Sequence, residues 1–158
     1  MTELRQALEL IADGEHPLVF HCASGKDRTG LLAALVLSLL GVDDDQIAAD
    51  FALTEHATER LVAEWRDRHG GAPGWPAYGR APAEIIRLVL ADLRAAHGSV
   101  HGYATGRLGV DEQTIDALRA RLLAGDTKPL PTQGGSTPAA ERLRALVRGR
   151  VTEATGRR

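Results

Sequence analysis

The 158-residue sequence is poor in sulfur and in aromatic residues, with one cysteine, one methionine and 4% Phe, Trp and Tyr. A single cysteine excludes an internal disulfide and a two-cysteine redox motif. A lone thiol also fits a reducing compartment, so we expect a cytoplasmic protein. The histidines His21, His56 and His97 lie too far apart in sequence to indicate a zinc site, and we expect neither a metal nor another cofactor.

The sequence also lacks a large excess of charge of one sign and long hydrophobic runs. The formal net charge of -2 provides no general attraction to nucleic acid or to an anionic membrane. The longest apolar stretch, Leu31 to Leu40, is too short to span a bilayer and predicts a buried helix. A secretion signal is not expected, because Glu3, Arg5 and Glu9 interrupt the N-terminal region. With 44% hydrophobic residues the chain can bury the core of one domain.

Hydrophobic periodicity predicts a mostly helical chain. We expect helices over residues 2–12, 28–40, 57–68 and 83–96. Two more helices should follow the capping residues Asp43 and Asp111, and a short one should begin at Val100. The uniformly apolar segment Pro17 to Phe20 predicts the one strand, and we expect it to be buried. No other segment has a period-two pattern. Residues 125–138 are typical of a linker, and residues 139–158 of a basic tail that is partly helical or disordered.

The most informative stretch is HCASGKDRTG, residues 21–30. A cysteine follows the apolar segment, and an arginine stands six positions later, where an apolar helix begins. Backbone N–H groups of residues 23–28 could curl around one point at the helix N-terminus and bind an anion. The same positive field lowers the pKa of the Cys22 thiol, and the thiolate is a nucleophile. Predicted phosphate-binding residues are Ala23, Ser24, Gly25, Lys26, Asp27 and Arg28.

This stretch has three other possible interpretations. A lone cysteine after a strand is most often a small buried hydrophobe. A phosphate-binding Walker loop needs Ser or Thr directly after Gly-Lys, whereas Asp27 follows Lys26 here. A redox motif needs a second cysteine. The complete string therefore favours Cys22 as a nucleophile in phosphate-ester chemistry.

The loop sequence His-Cys-x-x-Gly-Lys-Asp-Arg-Thr-Gly resembles the signature loop of the bacterial tyrosine/serine protein phosphatases, a branch of the cysteine-dependent phosphatase superfamily. It also resembles the loop of phosphoinositide phosphatases. Further likenesses lie at residues 49–54, 97–103 and 108–119, so the resemblance runs from about Leu4 to Leu123. It implies an α/β fold of the cysteine-dependent phosphatase type. In that family most of the central sheet precedes the loop, whereas only about twenty residues precede Cys22 here.

This departure predicts that residues 1–124 form the C-terminal catalytic portion of a tyrosine-phosphatase-like domain. We expect the chain to be mostly α with a single strand, because the N-terminal part of the sheet is missing. The strand Pro17–Phe20 would then leave its edge groups unpaired, which is costly when they are buried. We therefore expect the isolated chain to be loosely folded, to aggregate, or to form a homodimer that pairs this strand with its mate.

Roles in the loop follow from the chemistry and from the resemblance. Cys22 would attack phosphorus, and Arg28 with the loop amides would hold the phosphate oxygens. The resemblance places the Thr29 hydroxyl where it hydrogen-bonds the thiolate. His21 would brace the loop from below, which is structurally close to the alternative of a satisfied core histidine.

Two loop residues keep alternative interpretations. Asp27 is the only carboxylate in the loop, and the resemblance also indicates it as the general acid; the alternative is a salt bridge that braces the loop. Lys26 would add positive charge for multiply phosphorylated substrates, or simply face solvent.

Three functions remain at this point. The first is hydrolysis of phosphotyrosine, with phosphoserine or phosphoinositide as further substrates, so that the partners are phosphorylated proteins or phosphoinositides. The second is a phosphate-binding module that turns over slowly. The third is an inactive helical fragment.

Overall fold

The computed structural model describes residues 2–14 and 18–123, and within these ranges the regular structure is entirely helical. The α-helices are α1 (Thr2–Asp13), α2 (Asp27–Leu39), α3 (Asp44–Ala52), α4 (Thr58–His69), α5 (Ala83–His97), α6 (Val100–Gly102) and α7 (Glu112–Leu122). A 3₁₀ turn, Leu53–Ala57, joins α3 to α4, and a π-helical segment, Tyr103–Leu108, continues α6. The mostly helical prediction is confirmed. The predicted linker and basic tail lie outside the described residues.

The predicted buried strand is wrong for the part of it that the structure describes. Leu18, Val19 and Phe20 form no strand, and all three are exposed, Val19 to 82%. Pro17 lies outside the described residues. A strand needs a neighbouring strand to pair its N–H and C=O groups, and the described ranges contain no such neighbour. The apolar pattern was therefore not sufficient to form a strand here.

Helix α2 lies at the centre of the packing because it contributes to both hydrophobic clusters. Its residues Leu32, Val36 and Leu39 pack with apolar residues of α1, the π-helical segment and α7. Ala34 and Leu35, on another side of α2, pack with α3 and α5. This explains why α2 is apolar around most of its circumference, as expected for a helix buried on several sides. Close to its N-terminus, where the 21–30 loop enters, Leu32 packs in the first cluster and Leu31 packs against the second.

The helix ends are satisfied by nearby side chains. Asp43 accepts a hydrogen bond from the Gln46 amide at 3.0 Å, and Asp111 accepts one from the Thr114 amide at 2.7 Å. These contacts confirm the two predicted N-caps. At the C-terminal end of α2, the Arg119 side chain donates a hydrogen bond to the Leu39 carbonyl oxygen at 3.1 Å. Cationic side chains stabilise helix C-termini in this way. Within the described residues no helix is long and apolar enough to cross a membrane.

Two glycines near α6 offer a test of this packing. A Cβ on Gly102 would overlap the backbone carbonyl oxygen of His97, whereas a Cβ on Gly106 would meet no atom within 4 Å. A backbone atom cannot rotate away as a side chain can. We therefore expect Gly102→Ala to lower the free energy of unfolding by about 1–3 kcal/mol. The matched control Gly106→Ala should stay within about 0.5 kcal/mol of the parent chain. Urea denaturation measures both, and equal values for the two variants would contradict this packing.

Candidate functional site

The backbone of the 21–30 loop turns back on itself before α2 begins. Gly25 has a φ of 64°, in the left-handed region that side chains rarely adopt. Lys26, the residue before the helix, has φ -107° and ψ -83°, and its carbonyl oxygen accepts a hydrogen bond from the Gly30 amide at 2.7 Å. This turn brings the amides of Ser24, Lys26 and Thr29 to the sulfur of Cys22. The loop therefore presents N–H groups at the point where the nucleophile was predicted.

These contacts lower the pKa of Cys22 from its ordinary value of 9.0 to about 6. Hydrogen bonding by the Thr29 hydroxyl to the sulfur is the largest cause, and the three backbone amides add to it, while partial burial opposes it. Apart from the sulfur, the buried Thr29 hydroxyl has no hydrogen-bond partner among the described residues, so nothing else there competes for it. At pH 7 the thiolate should exceed the thiol by about ten to one.

Alkylation of Cys22 tests this charge state directly. Because the thiolate reacts and the thiol does not, the rate with iodoacetamide should rise with pH, with a midpoint near the pKa of about 6, and then level off. Phosphate or vanadate should slow the reaction by occupying the loop. The same chain unfolded in urea is the control, with a midpoint near 8.5. A folded-state midpoint at that ordinary value, indifferent to oxyanions, would overturn this assignment.

A cavity of about 390 Å³ lies over the nucleophile. Cys22, Arg28 and Thr29 form one part of its lining, and residues of α1 and the exposed Phe20 contribute to the rest. The Arg28 side chain is exposed, and no ion pair of Arg28 is found among the described residues. Its guanidinium is therefore available to an anion that enters the cavity. The described residues contain no group of three or more His, Cys, Asp and Glu that could hold a metal ion.

Of the two interpretations of Lys26, the one in which its side chain faces solvent is wrong, because the residue is only 8% exposed. Its Nζ lies 2.6 Å from Oδ1 of Asp27, whose side chain is 71% exposed. A buried ammonium group usually requires such an anionic partner. The Lys26–Asp27 pair therefore orients the Asp27 carboxylate and ties it to the loop. It is the salt bridge that the sequence offered as an alternative role for Asp27.

His21, Ala23 and Ser24 are exposed, and His21 also lines the cavity that contains Cys22. A ring nitrogen of His21, Nδ1, lies 3.1 Å from the Cys22 carbonyl oxygen, so it must be the protonated nitrogen that donates this hydrogen bond. His21 thus contacts the backbone of the loop. Because it is exposed, it is not a buried core histidine, which was the alternative interpretation.

Glu55 is a residue at this site that the sequence did not indicate. Its carboxylate accepts hydrogen bonds from the Ala81 amide and, at 2.6 Å, from Nε of Arg80. The Ala81 amide is the largest cause of the lowered pKa of Glu55, and the charges of Arg80 and Lys26 contribute. Glu55 therefore fastens the end of the Gly- and Pro-rich segment 70–82 close to the loop. No spacing rule could have found it, because its partners lie 25 and 26 residues away.

Comparisons with known proteins find relatives along most of the chain. A family model described as "Tyrosine phosphatase family" matches residues 1–124. A protein of Nostoc commune named "Tyrosine-protein phosphatase" is 34% identical over 130 residues, which are 76% of this chain and 44% of that protein. The "Triple specificity protein phosphatase PtpB" of Mycobacterium tuberculosis is 30% identical over 135 residues, 76% of this chain and 48% of that protein. The chain spans less than half the length of these curated relatives.

Proposed function

The chain belongs to the tyrosine phosphatase family, and from that premise we propose that its 21–30 loop hydrolyses phosphate monoesters through a cysteinyl-phosphate intermediate. The observation that carries this proposal is the environment of Cys22. Its thiol has a pKa of about 6 and is surrounded by the amides of Ser24, Lys26 and Thr29 and by the Thr29 hydroxyl. A ring of donors that stabilises a thiolate also suits the oxygens of a phosphoryl group.

In the first step the Cys22 thiolate attacks phosphorus, an S–P bond forms, and the bond from phosphorus to the leaving oxygen breaks. The Asp27 carboxyl group donates its proton to that oxygen, so the leaving group departs as a neutral alcohol or phenol. Arg28 and the loop amides hold the remaining phosphate oxygens and stabilise the charge of the transition state.

In the second step water attacks the phosphorus of the cysteinyl phosphate and passes a proton to the Asp27 carboxylate. The S–P bond breaks, and inorganic phosphate leaves with the Cys22 thiolate restored. The Thr29 hydroxyl and the loop amides stabilise this leaving thiolate, as they do in the free protein. Lys26 holds Asp27 in place during both steps through its 2.6 Å contact.

The substrates we propose are phosphorylated proteins, with phosphotyrosine first and phosphoserine or phosphoinositide as further candidates. The names of the relatives, a tyrosine-protein phosphatase and a triple specificity protein phosphatase, support a phosphoprotein substrate. We propose the cytoplasm as the compartment, because a reducing environment keeps a reactive thiolate in its reduced form.

A phosphate-binding module with slow turnover is the second candidate. It is favoured by the exposure of Leu18, Val19 and Phe20, since the segment before Cys22 is only partly packed against the rest of the described residues. Pairing of this segment with a second copy of the chain stays a prediction.

Turnover of a phosphotyrosine peptide by the 158-residue chain separates these candidates. For a phosphatase we expect continuous release of phosphate, inhibition by vanadate, and, after an acid quench, a phosphoryl group on Cys22 detected by mass spectrometry. Vanadate binding without turnover would favour the binding module. Absence of both would show that the chain has neither function.

A further inference from the structure

Lys26 is the one charged residue that is buried in the part of the chain that the structure describes. Its ammonium group contacts the carboxylate of Asp27 at 2.6 Å, and the Asp27 side chain itself is largely in solvent. A buried cation needs a partner that stays negative, because an uncompensated charge away from water is costly. Asp27 is not such a partner if it is the general acid, since it is neutral when it donates its proton and negative afterwards. Lys26 therefore requires a second source of negative charge that does not change during the reaction.

Glu55 is held in place by two hydrogen bonds to the end of the segment 70–82. Its Oε1 accepts one from the Ala81 amide, and its Oε2 accepts one from Nε of Arg80 at 2.6 Å. Ala81 is fully buried and packs in the same hydrophobic cluster as Phe51. The carboxylate of Glu55 is thus fixed at the edge of the core and cannot swing freely into solvent.

The Phe51 ring connects this part of the core to the phosphate-binding loop. A Cβ at Gly30 would meet ring carbons of Phe51 at 2.6 Å, so the ring lies against the backbone of Gly30. The Gly30 amide in turn donates a hydrogen bond to the carbonyl oxygen of Lys26 at 2.7 Å. Glu55 is therefore near enough to Lys26 for their charges to interact. The Ala81 amide is the largest cause of the lowered pKa of Glu55, and the charge of Lys26 contributes to it.

We propose that Glu55 is a positioning residue that compensates the charge of buried Lys26, and so lets Asp27 keep the proton that it donates to the leaving group. This inference rests on the proposed function and gives it a residue from outside the loop. While Asp27 is protonated, Glu55 is the anion that faces Lys26. Once Asp27 has passed its proton to the leaving oxygen, its carboxylate becomes the second anion. Without Glu55 the charge of Lys26 would act on Asp27 alone and would favour the carboxylate form, which has no proton to donate.

The pH dependence of leaving-group discrimination tests this role in the full 158-residue chain. The quantity measured is the ratio of kcat/KM for phenyl phosphate to kcat/KM for 4-nitrophenyl phosphate. Phenolate needs a proton as it leaves and nitrophenolate needs it much less, whereas the charge state of Cys22 affects both esters alike. The ratio should therefore fall with rising pH as Asp27 loses its proton. Glu55→Gln should move the midpoint of this fall to lower pH by about 0.5–1 unit.

Arg80→Gln is the matched control, because it breaks the same 2.6 Å ion pair and leaves the charge of Glu55 in place. The midpoint should stay within about 0.2 units of the parent value, since the exposed charge of Arg80 is screened by solvent and salt. If Glu55 served only to fasten the segment 70–82, the two variants would change the ratio alike.

Lys26→Met supplies the second test. By itself it should move the midpoint to higher pH, because the cation that favours the Asp27 carboxylate is gone. Adding Glu55→Gln to this variant should then move the midpoint by less than about half as much as it does in the parent chain. An alkylation midpoint of Cys22 near 6 shows in each variant that the loop is folded.

The inference would be overturned by an unchanged midpoint in Glu55→Gln, by equal shifts in Glu55→Gln and Arg80→Gln, or by an equal effect of Glu55→Gln with and without Lys26. Turnover of the esters in those cases would still support the proposed function. A ratio that does not change with pH in the parent chain would overturn the role of Asp27 and this inference, and would leave the cysteinyl-phosphate intermediate in place. Failure of the parent chain to turn over either ester, although vanadate slows alkylation of Cys22, would overturn both the inference and the proposed function.

Discussion

Replacement of Cys22 by serine is expected to lower turnover of phosphate esters by at least about 10³-fold while phosphate still binds. A serine hydroxyl stays protonated near neutral pH, whereas the Cys22 thiol, with its pKa of about 6, is mostly thiolate. The loop amides and Arg28 remain in place, so the affinity for vanadate or phosphate should change little. Turnover of a phosphotyrosine peptide and calorimetric titration with phosphate measure the two quantities separately.

Arg28→Lys is the variant to compare with Cys22→Ser, because it should weaken phosphate binding without removing the thiol. Lysine keeps the charge but lacks the planar pair of donors, so phosphate affinity should fall while the pH midpoint of Cys22 alkylation stays near 6. Substantial activity in Cys22→Ser would show that another group is the nucleophile, and the proposed intermediate would be abandoned.

Asp27→Ala is expected to lower turnover of alkyl and phenyl phosphates by about 10²–10⁴. These leaving groups need a proton as the ester bond breaks. Esters with very good leaving groups, such as nitrophenyl phosphates, need it less and should lose less. Steady-state kinetics across a series of leaving groups measures the difference as a steeper dependence of kcat on leaving-group pKa.

Lys26→Met is the matched control for the proton-transfer role of Asp27. It removes the ammonium group that lies 2.6 Å from the Asp27 carboxylate and leaves the carboxylate present. If Asp27 is the general acid and Lys26 orients it, Lys26→Met should show the same leaving-group dependence as Asp27→Ala with a smaller loss of turnover, because the carboxylate is still present. Equal losses for good and poor leaving groups in Asp27→Ala would make Asp27 a brace of the loop, with another group as the acid.

Most of the helical structure was predictable, because its causes are local. The caps Asp43 and Asp111 each bond an amide three residues ahead, and an i, i+3 contact can be recognised in the sequence. The loop around Cys22 is local too, since Ser24, Lys26 and Thr29 lie within seven residues of the sulfur they contact. The lowered pKa of Cys22 in the predicted anion-binding stretch could therefore be predicted, because it results from contacts with residues close in sequence.

The errors and omissions all involve contacts between distant segments. The apolar segment Leu18–Phe20 has the composition of a strand, but a strand depends on hydrogen bonds from another part of a sheet, and the described residues provide none. Burial of Lys26 depends on how the segments around the loop pack, which its neighbours in sequence do not reveal. Glu55 is bonded to residues 25 and 26 positions away.

The sequence by itself determined the loop that contains Cys22 and Arg28 and the apolar helix that follows it, because these lie in one short stretch of the chain. Only the tertiary structure decided what surrounds the loop. Packing of α3 and α5 against α2 places Phe51, Ile85 and Val89 beside Asp27 and Arg28, and it creates a cavity of about 250 Å³ there. The physical reason is that a loop presents backbone groups of one short segment, whereas a cavity between helices requires side chains that only packing brings together.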